Sequence, residues 1–126
     1  MLKGLLAGGI TLGVAAIFPE QLALSFFTVV LGLVAGVEPG MAMRNPEEGR
    51  AGFLWVLALF FVGLGLVGLA TNPLILAGAW FLHWVWHLLN QVTALGDGVP
   101  EGLSRFSFTF DLVVGGFVVY LWMVAA

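Results

Sequence analysis

The chain has 126 residues, of which 61% are apolar and only 9% are charged, and its net charge is −3. A soluble domain carries about a quarter charged residues, so the composition excludes a water-soluble globular protein and favours an integral membrane protein whose first partner is the lipid bilayer. The scarcity of Lys and Arg, four in all, excludes a nucleic-acid-binding surface, and the absence of cysteine excludes disulfides, thiolate catalysis and cysteine metal sites.

Five apolar segments follow one another along what we interpret as a single transmembrane domain, residues 1–126. The segments cover about residues 2–18, 22–43, 51–70, 74–94 and 106–126. A helix needs about 20 apolar residues to cross the hydrocarbon core of a bilayer, and the last three segments reach that length. The pattern predicts an all-α fold, a polytopic integral membrane bundle of five transmembrane helices.

The first two segments are the shorter ones, and Pro19 and Glu20 separate them. They can also be interpreted as one broken, re-entrant hairpin, which would leave four spans. With five spans, Lys3, the loop from Arg44 to Arg50 and Arg105 all lie on one face of the membrane. Cytoplasmic loops are enriched in Lys and Arg, so we expect five spans, a cytoplasmic N-terminus and a multi-pass protein of the plasma or inner membrane.

Glycines recur at a spacing of four residues in the first two segments. The pairs are Gly4 and Gly8, Gly9 and Gly13, and Gly32 and Gly36. Small residues at this spacing let helix backbones approach closely in lipid. The spacing predicts packing within the hairpin formed by the first two segments, and a homodimer face is the alternative.

The fourth segment carries an unusual polar stripe. His83 and His87 are four residues apart and therefore lie on one face of a helix, and Asn90 continues that face. Ionisable groups at membrane depth almost always point to the interior of a bundle and often mark function. The stripe is therefore where we expect any functional site.

Two carboxylates are predicted to reach the same depth. At a rise of about 1.5 Å per residue, Glu38, His87 and Asp111 each lie roughly 9–10 Å inside the cytoplasmic ends of their segments, and His83 lies one turn deeper. The fourth and fifth segments are consecutive and should pack antiparallel. We therefore expect His87 and Asp111 to be direct neighbours.

This set of side chains has the composition of a metal site, with His83, His87, Asp111 and Glu38 as candidate ligands of a divalent metal. The helical metalloprotease motif requires Glu after the first His, and Trp84 stands there instead, which disfavours that enzyme class. A membrane His can also ligate a tetrapyrrole, for which His83 and His87 with the flanking Trp84 are the candidate cofactor-binding residues.

The same residues have an ordinary structural interpretation. His87 and Asp111 can simply satisfy each other across two helices. Asp111 can instead cap a helix that starts after it, because residues 106–110 alternate with a period of two, as an extended chain does. Glu38 can lie at a helix end, since Pro39 and Gly40 follow it as stop signals.

Three functions remain compatible with the sequence. The leading hypothesis is a non-catalytic subunit or accessory protein, because the polar loops are too short to build a soluble active site. Such a protein would pack against partner membrane proteins, a second copy of itself, lipid or a bound cofactor. The second is a small proton- or metal-coupled transporter or channel that uses the His and carboxylate cluster. The third is an intramembrane metalloenzyme that uses the same cluster.

Overall fold

The computed structural model describes residues 2–44, 51–92 and 101–125, and these ranges fold as five helices without a strand. In chain order the helices α1 to α5 are Leu2–Ala16, Glu20–Ala42, Ala51–Ala70, Pro73–Val92 and Glu101–Ala125. Three of them, α2, α3 and α5, are long and apolar enough to cross a membrane, whereas α1 and the stretch Pro73–Leu89 of α4 are apolar but shorter. The all-α prediction is confirmed, while Arg50 and the predicted end of the fourth segment lie outside the described residues.

Helix α2 extends beyond its predicted bounds at its N-terminal end. It begins at Glu20, directly after Pro19, where a carboxylate in the first turn interacts favourably with the helix dipole. At the other end it continues through Pro39 to Ala42, so Glu38 does not lie at a helix end and that alternative is wrong. Proline is tolerated inside membrane helices because neighbouring helices and local adjustments of the backbone satisfy the freed carbonyl.

Helix α5 begins earlier than predicted, at Glu101, and includes residues 106–110. Asp111 therefore lies inside the helix and is not its N-cap, which removes the alternative of a late start. The buried residues Ser107, Phe110, Asp111 and Val114 follow a spacing of three and four, which is the period of a helix and not of a strand.

The glycines of α1 do make close helix contacts, but the partner is α5 and not α2. A Cβ atom added at Gly4 would lie 2.5 Å from the carbonyl oxygen of Phe106, and one at Gly8 would lie 3.0 Å from Cγ1 of Val113. A Cβ atom at Gly36 would meet nothing within 4 Å. The expectation that these glycines join the first two helices is wrong, because small-residue spacing marks a contact face without naming the helix that packs on it.

The helices contact one another mainly in the order α1, α5, α4, α3, α2. The larger part of the core includes Phe27, Leu76, Trp80 and Val114, and a second, smaller cluster includes Leu54, Ala58, Phe61 and Trp86. Two members of the smaller cluster contact the polar residues, since Trp86 bonds to Glu38 and the ring of Phe61 packs on that of His83. The polar residues thus lie beside the smaller apolar cluster.

Three of the chain's four cations lie at one end of the bundle. Helix α1 runs parallel to α5, because Gly4 lies against Phe106 and Gly8 against Val113, so Lys3 and Arg105 share an end. Helix α2 runs antiparallel to α5, because its Phe27 packs on Phe117 while Glu38, further along α2, meets His87 near the contact of His83 with Asp111. This direction brings Arg44, after the last turn of α2, to the same end. The described cations therefore have the one-sided distribution that the five-span prediction requires.

Candidate functional site

Four ionisable side chains from three helices meet inside the bundle. Glu38 comes from α2, His83 and His87 come from α4, and Asp111 comes from α5. None of the four residues is more than 5% exposed. Because burial of an unpartnered polar group costs several kcal/mol in an environment like lipid, such a group of residues requires mutual pairing or a bound ion.

His83 is held by Asp111 across the interface between α4 and α5. The Nδ1 atom of the imidazole lies 2.7 Å from Oδ2 of the carboxylate. With a proton on Nδ1, the ring donates to the carboxylate, and its Nε2 atom carries the lone pair. A carboxylate on one ring nitrogen fixes the tautomer and orientation of a histidine whose other nitrogen binds a metal.

Asp111 bonds to His83, one helical turn from His87, the partner that the sequence predicted for it. The rings of Trp84 and Phe108 lie 5.2 Å apart, and this contact places residue 83, rather than residue 87, level with Asp111 on the antiparallel helix. The depths of His87 and Asp111 were counted from the predicted ends of the fourth and fifth segments. An error of four residues in the end of either helix shifts the partner by one full turn.

Glu38 is held by one residue and faces another. Its Oε2 atom accepts a hydrogen bond of 2.7 Å from the indole Nε1–H of Trp86. Its Oε1 atom lies 3.0 Å from Nε2 of His87, which is an ion-pair distance, although the angles are not those of a hydrogen bond. One carboxylate oxygen is thus fixed by an indole, and the other is directed at the imidazole.

The two imidazole rings are neighbours. Their centroids lie 4.6 Å apart with the planes at 84°, and the ring of Phe61 from α3 packs edge-on against His83 at 4.9 Å. These contacts place apolar carbon beside the rings and restrict their rotation. Both histidines are therefore packed among neighbouring rings.

Three of the four predicted metal ligands have the spacing of a metal site. Glu38, His83 and His87 each offer a ligand atom, and these atoms all lie within 4.8 Å of one another. Zinc binds imidazole nitrogen and carboxylate oxygen at about 2.0–2.2 Å, so two ligands of a tetrahedral ion lie about 3.3 Å apart. The distance from Oε1 of Glu38 to Nε2 of His87 is already close to that value. If the ligand atoms that lie furthest apart among the three residues approached each other by roughly 1.5 Å, all three could bind one ion.

Asp111 is not a member of this triangle. Its Oδ2 atom is engaged by His83, and its Oδ1 atom is buried without a hydrogen-bond partner among the described residues. The Oε1 atom of Glu38, by contrast, is paired with Nε2 of His87 at 3.0 Å. The buried oxygen that lacks a donor among the described residues is therefore Oδ1 of Asp111, and a cation held nearby by Glu38 and the imidazoles would offset part of this cost.

Trp84 contacts helix α5. Its ring packs against Phe108 of α5, and its indole Nε1–H is buried without a hydrogen-bond partner in the described part of the chain. It contributes an aromatic contact between α4 and α5. Asn90 belongs to α4, but its side chain lies outside the described residues.

Two residues that shape the site, Trp86 and Phe61, were not among the candidates from the sequence. Trp86 is the donor to Glu38. Its position three residues after His83 puts it on the same helical face, and that spacing was an available signal. Phe61 lies on a uniformly apolar helix, and nothing in its local sequence distinguishes it from its neighbours.

No protein-family model, curated protein or solved structure matches this chain.

Proposed function

We propose that this chain is a small, non-catalytic integral membrane protein that holds one divalent transition metal ion among Glu38, His83 and His87. One observation carries the proposal. Three potential ligand atoms from two helices lie within 4.8 Å of one another, and none of the three residues is more than 5% exposed. Surface acidic groups often lie close together without a metal, but buried ones incur a desolvation cost that an ion would offset.

The donor set indicates which metal is bound. Two imidazoles and one carboxylate suit Zn²⁺, with water or another donor in the fourth position, and also suit Fe²⁺. Mg²⁺ and Ca²⁺ prefer sites in which all ligands are oxygen atoms, whereas two of the three ligands here are imidazole nitrogens. Charge balance supports a divalent ion, because the carboxylates of Glu38 and Asp111 together neutralise two positive charges in a region without water.

The ion would act as a link between helices. Helix association in lipid has no hydrophobic driving force and depends on packing and interhelical polar contacts. A metal bound by Glu38 of α2 and by His83 and His87 of α4 joins two helices that otherwise touch each other little. We infer a structural or accessory role, in which the assembled bundle packs against lipid, a membrane-protein partner or a second copy in the plasma or inner membrane.

A tetrapyrrole fits this site less well than an ion. The ring of His87 packs on that of His83 at 4.6 Å, and the ring of Phe61 packs on that of His83 at 4.9 Å. A macrocycle needs an open face above one imidazole, and both histidines are at most 1% exposed. An ion requires only a small movement of side chains.

Transport of protons or metal ions across the membrane is supported less well. The ionisable groups extend over only about one helical turn, or roughly 6 Å along the axis, whereas the hydrocarbon core is about 30 Å thick. The buried hydroxyls of Thr28 and Thr109 donate to backbone carbonyls of their own helices and do not extend the path. Intramembrane metalloenzyme chemistry has no equivalent of the glutamate base, since Trp84 follows His83.

Metal analysis of the full chain, purified in detergent, tests the proposal. Elemental analysis should find about one Zn²⁺ or Fe²⁺ per chain, and Co²⁺ added to the stripped protein should give the visible absorption bands of a four-coordinate site. Glu38→Gln and His87→Gln should lower the affinity for Zn²⁺ by more than about 100-fold, because each removes a direct ligand.

The matched control is Glu20→Gln, which removes an exposed carboxylate from the first turn of the same helix, α2. Its affinity for Zn²⁺ should equal that of the wild type. The proposal fails if the wild-type chain binds no transition metal, or if Glu38→Gln and Glu20→Gln bind Zn²⁺ equally well. In either case the polar cluster would be a self-sufficient pairing of side chains.

A further inference from the structure

The buried faces of α2, α4 and α5 change from apolar to polar along the bundle. On α5, Val114 and Val118 lie on one side of Asp111, Ser107 lies one turn away on the other side, and all four residues are at most 1% exposed. The other two helices bear fully buried apolar residues before their polar ones, which are Leu76 and Trp80 on α4 and Phe27 and Leu31 on α2. Because α5 runs antiparallel to both helices, these six residues form one apolar layer on the side of the site away from the described cations.

Close packing seals the apolar layer. A Cβ atom added at Gly65 of α3 would lie 3.1 Å from Cδ2 of Leu31 and 3.6 Å from Cδ1 of Leu76. A Cβ atom added at Gly115 of α5 would lie 3.2 Å from Cβ of Trp80. Packing this close does not admit an ion with its water, and an ion that leaves its water behind gains no ligand there in return. The apolar layer therefore blocks the passage of an ion towards the far end of the bundle.

The metal site also lies closer to the end that carries the described cations. Glu38 is four residues from Ala42, where α2 ends, which is about 6 Å along the axis. His87 is five residues from Val92, where α4 ends, which is about 8 Å. In the other direction Glu38 is 18 residues from Glu20, where α2 begins, which is roughly 27 Å. The short route to the site thus begins at the end with the cations.

We propose that the metal ion enters and leaves its site only through the end of the bundle that carries Lys3, Arg44 and Arg105, an inference that rests on the metal site proposed above. On that side of Asp111 the buried residue Ser107 carries a hydroxyl oxygen, whereas the six side chains of the apolar layer carry none. One-sided cations favour a cytoplasmic location for this end. The site therefore takes its metal from the cytoplasm, and the ion does not cross to the other side.

Two fusions of the full chain to the same soluble domain, one at each terminus, test this route. When each fusion is inserted into preformed liposomes, its soluble domain stays outside, because it cannot cross the lipid. Helix α1 begins at the end with the cations and α5 ends at the opposite one, so the two fusions present opposite ends of the bundle to the outer solution. Both fusions are loaded with Co²⁺ before insertion, and EDTA, which does not cross lipid, is then added outside.

The N-terminal fusion should lose the visible absorption bands of four-coordinate Co²⁺, and the C-terminal fusion should keep them until detergent opens the liposomes. Glu38→Gln provides the baseline spectrum in both fusions, because it removes a direct ligand. Loss of the bands from the C-terminal fusion, alone or together with the other, would overturn the proposed route. So would retention of the bands in both fusions until detergent is added. A wild-type chain without Co²⁺ bands before insertion would refute the metal site itself, which distinguishes that failure from a wrong route.

Discussion

The Nδ1 atom of His83 lies 2.7 Å from the Oδ2 atom of Asp111, and both residues are buried where α4 packs on α5. This contact leaves Nε2 of His83 as the nitrogen available to a metal shared with Glu38 and His87. Asp111 thereby acts on the proposed metal through the histidine and not by coordination. It also adds a negative charge beside the site without occupying a coordination position.

Asp111→Asn should weaken Zn²⁺ binding by about 10–100-fold, the range for loss of a carboxylate that orients a metal-binding histidine. The amide keeps the shape of the side chain but loses its charge and therefore holds the Nδ1–H tautomer less strongly. Competition against a chromogenic chelator measures the affinity, and circular dichroism checks that the helices are intact. An Asp111→Asn chain that is fully helical and binds Zn²⁺ as the wild type does would show that Asp111 has no influence on the site.

Much of the candidate site could be predicted from the sequence because polar groups are rare in this chain. Glu38, His83, His87 and Asp111 stand out against apolar segments, and the cost of burying them in lipid forces them towards one another. Helical spacing alone placed His83 and His87 on one face. These inferences depend on composition and periodicity, which do not require knowledge of how helices pack.

The partners within the site could not be predicted in the same way. Whether Asp111 meets His83 or His87 depends on the register between α4 and α5, which contacts such as that of Trp84 with Phe108 determine. The donor to Glu38, Trp86, comes from a helix that is distant in sequence from α2. Likewise the glycines of α1 showed that a helix would pack there, but only the three-dimensional arrangement shows that this helix is α5.

The hydrogen bond from Trp86 to Glu38 should be measurable as a coupling energy. A double-mutant cycle of Trp86→Phe and Glu38→Leu, with the free energy of unfolding measured in mixed detergent micelles, should give about 1 kcal/mol, as expected for an interhelical hydrogen bond in a membrane protein. The cycle separates the hydrogen bond from the loss of indole volume, and leucine is used because glutamine would still accept the bond. Trp55→Phe provides the control pair with Glu38→Leu, because the Trp55 indole is exposed and contacts Met43 instead. Equal coupling in both cycles would contradict a specific bond.

Gly8→Leu should destabilise the protein by about 1–3 kcal/mol, because the added side chain forces α1 away from Val113 of α5. Gly9→Leu is the matched control, since a Cβ atom at Gly9 meets nothing within 4 Å. Gly36→Leu should be as stable as Gly9→Leu, because a Cβ atom at Gly36 also meets nothing within 4 Å. Thermal unfolding in detergent measures all three variants. A Gly8→Leu protein as stable as Gly9→Leu would show that α1 does not pack on α5 through this face.

The two termini of the chain should lie on opposite sides of the membrane, with Met1 in the cytoplasm. The decisive helix is α1, which has only 15 residues and spans about 22 Å. It lies alongside α5 from the contact of Gly4 with Phe106 to the groove where Ala15 faces Tyr120 and Val124. Because α5 is long and apolar enough to cross, we expect that a helix running parallel to it over this distance crosses as well.

Five crossings follow, and they agree with the location of Lys3, Arg44 and Arg105 at one end, which cytoplasmic enrichment of basic residues favours. Reporter fusions at each terminus, one active only in the cytoplasm and one active only outside it, measure the topology in cells. A cytoplasmic signal from the N-terminal fusion and an external signal from the C-terminal fusion are expected. If both termini report the same compartment, the number of crossings is even. Helix α1 then lies within the membrane without crossing it, because its 15 residues fall short of the about 20 that a full span needs.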